Sequence, residues 1–503
     1  MKRLCYLLLL CLLLVGCSAK QPSTAVCDGS HIDKANDGFC DNCSKFLLVM
    51  VDFYNLNDIH GKLDDADTHP GLDELSTYLA DVKQTDDHTV LLSSGDMWQG
   101  SAESNLTKGL IMTDWMNQMG FSAMAMGNHE YDWGEAPIEE NDKQAQFPFL
   151  AINIYDRETD QQVSYCESSV IVDLGPLQMG IIGAIGDCYS SIAADKVTDV
   201  YFKTGSELTR LVKAESDKLR SEGADFIVYL LHDGYTSSKS RPTSVSNKQL
   251  KSYYDPALSD GYIDLVFEGH THQKYVLTDS YGVYHLQGGG DNEGICHVEV
   301  AINIANGSSS VQTAELISTG AYAGQEDHPI VGQLLDKYDE QVSAANQVLG
   351  TNRVNRNSKS LQQLVADLYY KAGLKHWGAQ YDIALGGGFI SIRDPGYLAA
   401  GEVTYKMLYS LLPFDNQLVL CSIKGEDLLS RFYNSQDGRY FISYGDYGAR
   451  LKDQIDPDGV YYVVVDSYSS LYGPNKLTEI KRYDASVYAR DLMAQYVKDG
   501  GLE

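Results

Sequence analysis

The 503-residue chain predicts an α/β fold in more than one domain, and three observations carry that expectation. From Phe46 to about residue 320, β-type apolar runs alternate with helical or polar segments. Five of those runs, FLLVMVDFYNLND, HTVLLSSGD, FSAMAMGNHE, DFIVYLLHDG and IDLVFEGHTH, each terminate in His, Asp or Asn. The length also exceeds what one hydrophobic core organises, so two or three domains are expected.

Taken in chain order, the first element is MKRLCYLLLLCLLLVGC. A basic start followed by an apolar run too short for a comfortable membrane span reads as a secretion signal over residues 1–16. The small residue before Cys17 resembles a lipobox, in which that cysteine is lipidated and becomes the new N-terminus, anchoring the chain to an extracytoplasmic membrane face. Residues 17–45 then form a stalk. Cys27, His31, Cys40 and Cys43 give it a C-x3-H-x8-C-x2-C pattern, open to a structural zinc, a disulfide, or calcium held by the interleaved aspartates. The scattered Cys166, Cys188, Cys296 and Cys421 read as buried thiols.

The body spans 46–320. In open α/β sheets, ligands bind outside the carboxyl ends of the strands. Five such ends bearing metal-type side chains therefore point into one crevice. Of twelve histidines, His60, His129, His232, His270 and His272 lie in these clusters. On extended backbone alternate residues share a side, so Asp58-x-His60 and His270-x-His272 each offer two ligands together. Adding Asp96, Asn128 and His232 makes seven candidates. The imidazole–carboxylate mixture suits zinc, manganese or iron more than magnesium or calcium. Seven ligands exceed one site that keeps a substrate position, whereas two divalent metals sharing a carboxylate use them well. Asn128 coordinates through an amide oxygen without cancelling positive charge. His129 is then free for proton transfer, with Asp132 three residues on to fix its tautomer.

Residues 321–350 read as a linker. Pro329 suits a helix start, and Val331, Leu335, Tyr338, Val342, Ala345 and Leu349 recur at spacings of four and three, so one long amphipathic helix is expected over 329–349. A second domain follows over 351–503.

Together NDIHG, GDMWQG, GNHEYD, HDG and GHTH resemble the calcineurin-like metallophosphoesterases, specifically the 5′-nucleotidase family of exported bacterial enzymes. The resemblance implies a four-layer α/β/β/α sandwich, joined by a long helix to a smaller α+β nucleotide-recognition domain. It implies that Asp58, His60, Asp96 and His272 hold one metal and that Asp96, Asn128, His232 and His270 hold the other. His129 and Asp132 match the catalytic dyad. The implied reaction is hydrolysis of nucleoside 5′-monophosphates, with 2′,3′-cyclic nucleotides or nucleotide sugars as further substrates.

In the second domain LAAGEVTY and LLPFDNQLV match the family well. The glycine loop departs: Leu385 replaces the usual asparagine, and Arg393 comes three residues late. The resemblance implies substrate contacts from Gly387, Gly388 and Arg393, and aromatic stacking from Tyr440 and Tyr468. The altered loop favours a second reading, a non-nucleotide phosphate ester or a sulfur-linked group. A third reading, a surface-binding protein with a vestigial metal site, is opposed by the complete ligand set.

With 39 basic and 69 acidic residues the net charge is −30, which repels polyanions and argues against nucleic-acid polymers. A small anionic substrate needs a local positive centre, which metal ions supply. Nothing in the sequence calls for an obligate protein partner.

Overall fold

The computed structural model describes residues 31–43, 45–63, 70–236, 245–393, 395–433, 440–443, 454–471, 477–483 and 487–502. Cys17 and Cys27 lie outside them. The contacts divide the chain into two compact units, residues 1–51 with 299–312 and residues 52–298 with 313–503.

The alternating runs become two six-stranded sheets. One has the order β14-β13-β1-β2-β3-β4, from β1 (Leu48–Leu56), β2 (Thr89–Ser93), β3 (Ala123–Ala125), β4 (Phe149–Leu150), β13 (Gly294–Asn303) and β14 (Ser309–Ser318). A short pair, β5 (Ile154–Asp156) with β8 (Val200–Phe202), stands apart. The other large sheet has the order β11-β12-β10-β9-β7-β6. It is built from β6 (Ser169–Asp173), β7 (Gln178–Ile185), β9 (Phe226–His232), β10 (Leu265–Glu268), β11 (Lys274–Thr278) and β12 (Tyr284–Gly288).

β1 through β4 pair in parallel, as do β7, β9, β10 and β12. All seven residues of β9, FIVYLLH, are buried, as a parallel strand covered on both faces requires. Phe53 of the first sheet stacks on Phe226 of the second with ring centroids 5.8 Å apart. At Gly183 a Cβ would stand 2.3 Å from that of Leu150, so the sheets meet there closely enough to exclude any side chain. Helices Leu72–Thr85 and Leu110–Met119 cover one outer face, and helix Gly205–Ser221 the other. This is the four-layer α/β/β/α sandwich.

The linker corrects the expectation of one helix over 329–349. Helix Ile330–Lys337 ends at Tyr338, whose φ −104° and ψ 15° are not helical. A four-residue helix (Asp339–Val342) and a 3₁₀ turn (Ser343–Asn346) follow, and Leu349 belongs to strand β15 (Val348–Asn352). Tertiary anchoring outweighs the periodicity. The Tyr338 hydroxyl donates to Asp114 at 2.8 Å and accepts from Gln144 at 3.0 Å, which pins the chain where the helix breaks.

In the C-terminal domain β16 (Arg356–Asn357) pairs with β18 (Tyr397–Leu398), and β15 with β19 (Gly401–Thr404). The main sheet is mixed, with the order β21-β17-β22-β20-β23. Its strands are β17 (Ile383–Phe389), β20 (Leu418–Lys424), β21 (Tyr440–Ser443), β22 (Val460–Asp466) and β23 (Thr478–Arg482). Helix Ser358–Trp377 packs on it, and a Cβ at Gly373 would come within 2.4 Å of Val464. Among the described residues no helix is long and apolar enough to cross a membrane.

Candidate metal centre and substrate cavity

The parallel strands β1, β2, β3, β9 and β10 all end toward one crevice, and the turns beyond them carry the polar clusters. Asp58, His60, Asp96, His270 and His272 have φ of 53°, 53°, 55°, 68° and 51°. The expected extended D-x-H and H-x-H segments are therefore corrected to left-handed turns. Such backbone costs a non-glycine residue about 1–3 kcal/mol and persists only where its surroundings over-determine it. Here two loops lock each other: Asp58 N donates to Gly95 O at 2.9 Å, His60 N to Asp96 O at 3.1 Å and Gly61 N to Met97 O at 2.9 Å.

Glu130 adds a second clamp. Its buried carboxylate accepts the backbone N–H groups of Asp96 at 3.0 Å, Met97 at 2.9 Å, Trp98 at 3.3 Å and Gly127 at 2.9 Å. Burial, then the neighbouring Asp96, raises its pKa to about 7.

The turns bring all seven candidate side chains together. His60 Nε2 faces His272 Nε2 at 3.1 Å, and His272 Nε2 lies 3.4 Å from Asp58 Oδ1. His232 Nε2 stands 3.2 Å from Asp96 Oδ2 and 3.2 Å from Asn128 Oδ1. His270 Nδ1 is 2.8 Å from the same Asn128 oxygen. Two tautomers are set from behind, His60 Nδ1 facing Gln99 O at 2.8 Å and His232 Nδ1 facing Ser94 O at 2.6 Å. Each Nε2 is thereby aimed inward. Ligand atoms of Asp58, His60 and His272, and of Asp58, Asp96 and His232, lie within 4.8 Å of one another.

The electrostatics match a cation site. Burial raises the Asp96 pKa, but His232 and His129 outweigh it and hold the carboxyl well below its ordinary range. Burial and the adjacent His272 lower His60 to about 4, and burial with His232 lowers His270 to about 4. Both rings are neutral donors at physiological pH. His232 is raised to about 10 by Asp96 against the effect of burial. Two buried carboxylates thus demand positive charge, which imidazole protons supply here and which a divalent cation would supply on displacing them.

His129 begins the 3₁₀ turn His129–Tyr131. Its Nδ1 is 3.0 Å from Asp132 Oδ2, and its backbone N donates to Asp96 Oδ1 at 2.8 Å. Burial lowers the imidazole, yet Asp132 and Asp96 together raise it to about 9. It carries a proton at neutral pH.

A cavity of about 290 Å³ runs from this centre into the C-terminal domain. Asn128, His129, Asp132 and His270 line it from the metal domain, and Phe389, Arg393, Phe414 and Tyr468 line it from the C-terminal domain. The Phe414 ring lies 5.9 Å from that of His129 at 29°, and the Arg393 guanidinium is 5.1 Å above Phe414. Phe389 and Tyr468 sit 6.1 Å apart, tilted 45°. Ion pairs Lys108–Asp415 at 3.2 Å and Lys406–Glu103 at 2.6 Å join the two domains beside it.

Residues 53–274 match the family model of calcineurin-like phosphoesterases, and residues 341–445 match that of the 5′-nucleotidase C-terminal domain. The chain belongs to the 5′-nucleotidase family of calcineurin-like phosphoesterases. It is similar to Protein UshA of Yersinia enterocolitica, 24% identical over 426 residues that cover 75% of this chain and 74% of that protein. It is also similar to a 5′-nucleotidase of Vibrio cholerae, 25% identical over 401 residues covering 70% and 68%. The crystal structure of a 5′-nucleotidase precursor from Thermus thermophilus superposes with a TM-score of 0.69 at 21% identity, covering 90% of this chain and 96% of that one. The phosphoesterase is a metal-dependent phosphoric ester hydrolase, and its domain implies divalent metal ions.

Within this phosphoesterase the glycine run is strand rather than loop. Gly387 and Gly388 lie inside β17 and pair with Ile442 and Phe441. A Cβ at Gly387 would stand 2.1 Å from Phe441 O, and one at Gly388 would stand 2.5 Å from Ser469 Oγ. Backbone close approach explains these glycines, and neither is among the cavity-lining residues. Arg393 and Tyr468 do line the cavity. Tyr440 starts β21 opposite Phe389; its side chain lies outside what is described. The sequence reasoning missed Phe389, Phe414 and Glu130. Their signals were the aromatic directly after the glycines, the PFD in LLPFDNQLV, and the acid inside GNHE.

Proposed function

We propose that the phosphoesterase hydrolyses nucleoside 5′-monophosphates outside the cytoplasm and releases inorganic phosphate, with 2′,3′-cyclic nucleotides and nucleotide sugars as further substrates. The observation that carries this reading is one cavity lined both by Asn128 and His129 and by the Phe389–Tyr468 aromatic pair. With phosphate beside Asn128 and His129, the flat rings offer a stacking surface for a base in the same cavity.

Asp58, His60, Asp96 and His272 would hold one cation, and Asp96, Asn128, His232 and His270 the other, with zinc or manganese matching the donors. When bound, the cations supply Lewis acidity at the phosphoryl oxygens and activate water for in-line attack. The chain's own residues do the rest. His129 gives its proton to the departing ester oxygen while Asp132 holds the ring in place. Arg393, carried beside Phe414, adds positive charge within the cavity. Export by the first 16 residues and lipidation of Cys17 would hold the enzyme at the membrane face.

Phosphate release from AMP, 2′,3′-cyclic AMP, a nucleotide sugar and p-nitrophenyl phosphate tests this with manganese or zinc present. Two aromatic contacts contribute about 1–3 kcal/mol, so kcat/KM for AMP should exceed that for p-nitrophenyl phosphate by roughly 5- to 150-fold. Equal values would remove the nucleotide from the account.

A further inference from the structure

The first unit carries a side-chain cluster that shares no residue with the hydrolytic centre. Phe39 bridges Phe46 in antiparallel fashion, and their rings lie 5.3 Å apart. Cys40 N donates to Lys45 O at 2.8 Å and Leu47 N to Gly38 O at 2.8 Å, closing a small hairpin. Asp41 N donates to Ile32 O at 2.7 Å, which ties the His31 segment to it.

This geometry brings three soft ligands to one point. His31 Nδ1 is 3.7 Å from Cys43 Sγ, and ligand atoms of His31, Cys40 and Cys43 lie within 4.8 Å of one another. Zinc takes thiolate at about 2.3 Å and imidazole at about 2.0–2.1 Å, so on tetrahedral directions the two atoms stand about 3.6 Å apart.

The interleaved acids do not compete for the role. The Asp33 carboxylate accepts from Asp37 N at 3.1 Å, Gly38 N at 2.8 Å and Asn303 Nδ2 at 2.8 Å. Asp37 accepts from Phe39 N at 3.1 Å and Asp41 from Lys34 N at 2.8 Å. They build the loop, whereas calcium needs six to eight free oxygens. Cys40 and Cys43 are both thiols, so no disulfide staples the hairpin.

We propose that His31, Cys40 and Cys43 bind one structural zinc ion that holds the stalk hairpin folded. Cys27, the remaining member of the sequence pattern, lies outside the described residues, and the proposal rests on the other three. A segment this short buries too little apolar surface to fold alone. Phe39 and Phe46 remain 46% and 55% exposed, so the metal supplies what the core does not.

The test uses the full chain loaded with zinc or cobalt, beside the C40S/C43S double variant. The wild type should hold one more metal per chain than the variant. Its cobalt form should show a thiolate-to-cobalt charge-transfer band that the variant lacks, while phosphate release stays unchanged. Alkylation of the intact wild type, mapped by mass spectrometry, needs no substitution: Cys40 and Cys43 should be protected by zinc and exposed by a chelator. Equal metal content and equal spectra in both proteins would overturn the proposal. So would calcium retained by both, or cysteines that react only after reduction.

Discussion

His60 Nε2 and His272 Nε2 face each other at 3.1 Å across 212 residues of sequence. With the opposite nitrogen of His60 directed at Gln99 O, 2.8 Å away, its inward nitrogen carries a lone pair. A proton on His272 Nε2, favoured by the buried Asp58, can bridge the two nitrogens, and a divalent cation taking both imidazoles with Asp58 would displace it. The left-handed turns at Asp58, His60, Asp96, His270 and His272 keep this arrangement in place. The protein retains local strain where metal and substrate gather.

Removing the proton donor should separate chemistry from metal binding. His129→Ala is expected to lower kcat by about 10²–10⁴-fold, with metal content by elemental analysis unchanged. A drop in bound metal equal to the drop in rate would make His129 a ligand instead.

The aromatic pair should govern substrate affinity alone. Phe389→Ala and Tyr468→Ala should each raise KM for AMP by roughly 2- to 13-fold, from about 0.5–1.5 kcal/mol per stacked ring. kcat for p-nitrophenyl phosphate should barely move. Parallel losses on both substrates would indicate a folding defect in the C-terminal domain.

Glu130 positions the ligand loops without touching the ligands' inner face. Glu130→Gln turns an acceptor of four N–H groups into a side chain that also donates. Metal affinity, measured by competition with a chelator, should weaken by about 10–100-fold. Unaltered affinity would remove Glu130 from the supporting shell.

A buried histidine behind β10 gives a pH signature of stability. His285 Nδ1 lies 2.7 Å from Glu268 Oε1, and Nε2 lies 3.7 Å from Asp279 Oδ2. Burial lowers this imidazole, but Glu268 and Asp279 raise it to about 9, above about 6.5 in an unfolded chain. The folded protein holds the proton more tightly. The contribution, about 3 kcal/mol at most, is complete below pH 6.5, shrinks as pH rises, and is gone above pH 9. Unfolding by urea across that window should show a decline that His285→Gln flattens; identical slopes would assign the decline elsewhere.

Much of this was legible before any coordinates. The strand-like character of FIVYLLH and its neighbours, and the polar residues at their ends, follow from period and composition alone. The turn conformations do not, because nothing in D-x-H distinguishes an extended strand from two left-handed residues braced by a neighbouring loop. The linker misled for a related reason: spacing reports a buried face, whereas the bond between Tyr338 and Asp114 decides where the helix stops. Phe389 was hidden behind the glycines, whose job is packing against Phe441 and Ser469. Tertiary partners supplied what local pattern lacked.

Anomalous diffraction at the manganese edge, from crystals of manganese-loaded enzyme, tests the central claim most directly. Two peaks about 3.5–4 Å apart should appear, one among Asp58, His60 and His272 and the other among Asn128, His232 and His270. A single peak, or density outside this ring of side chains, would contradict it.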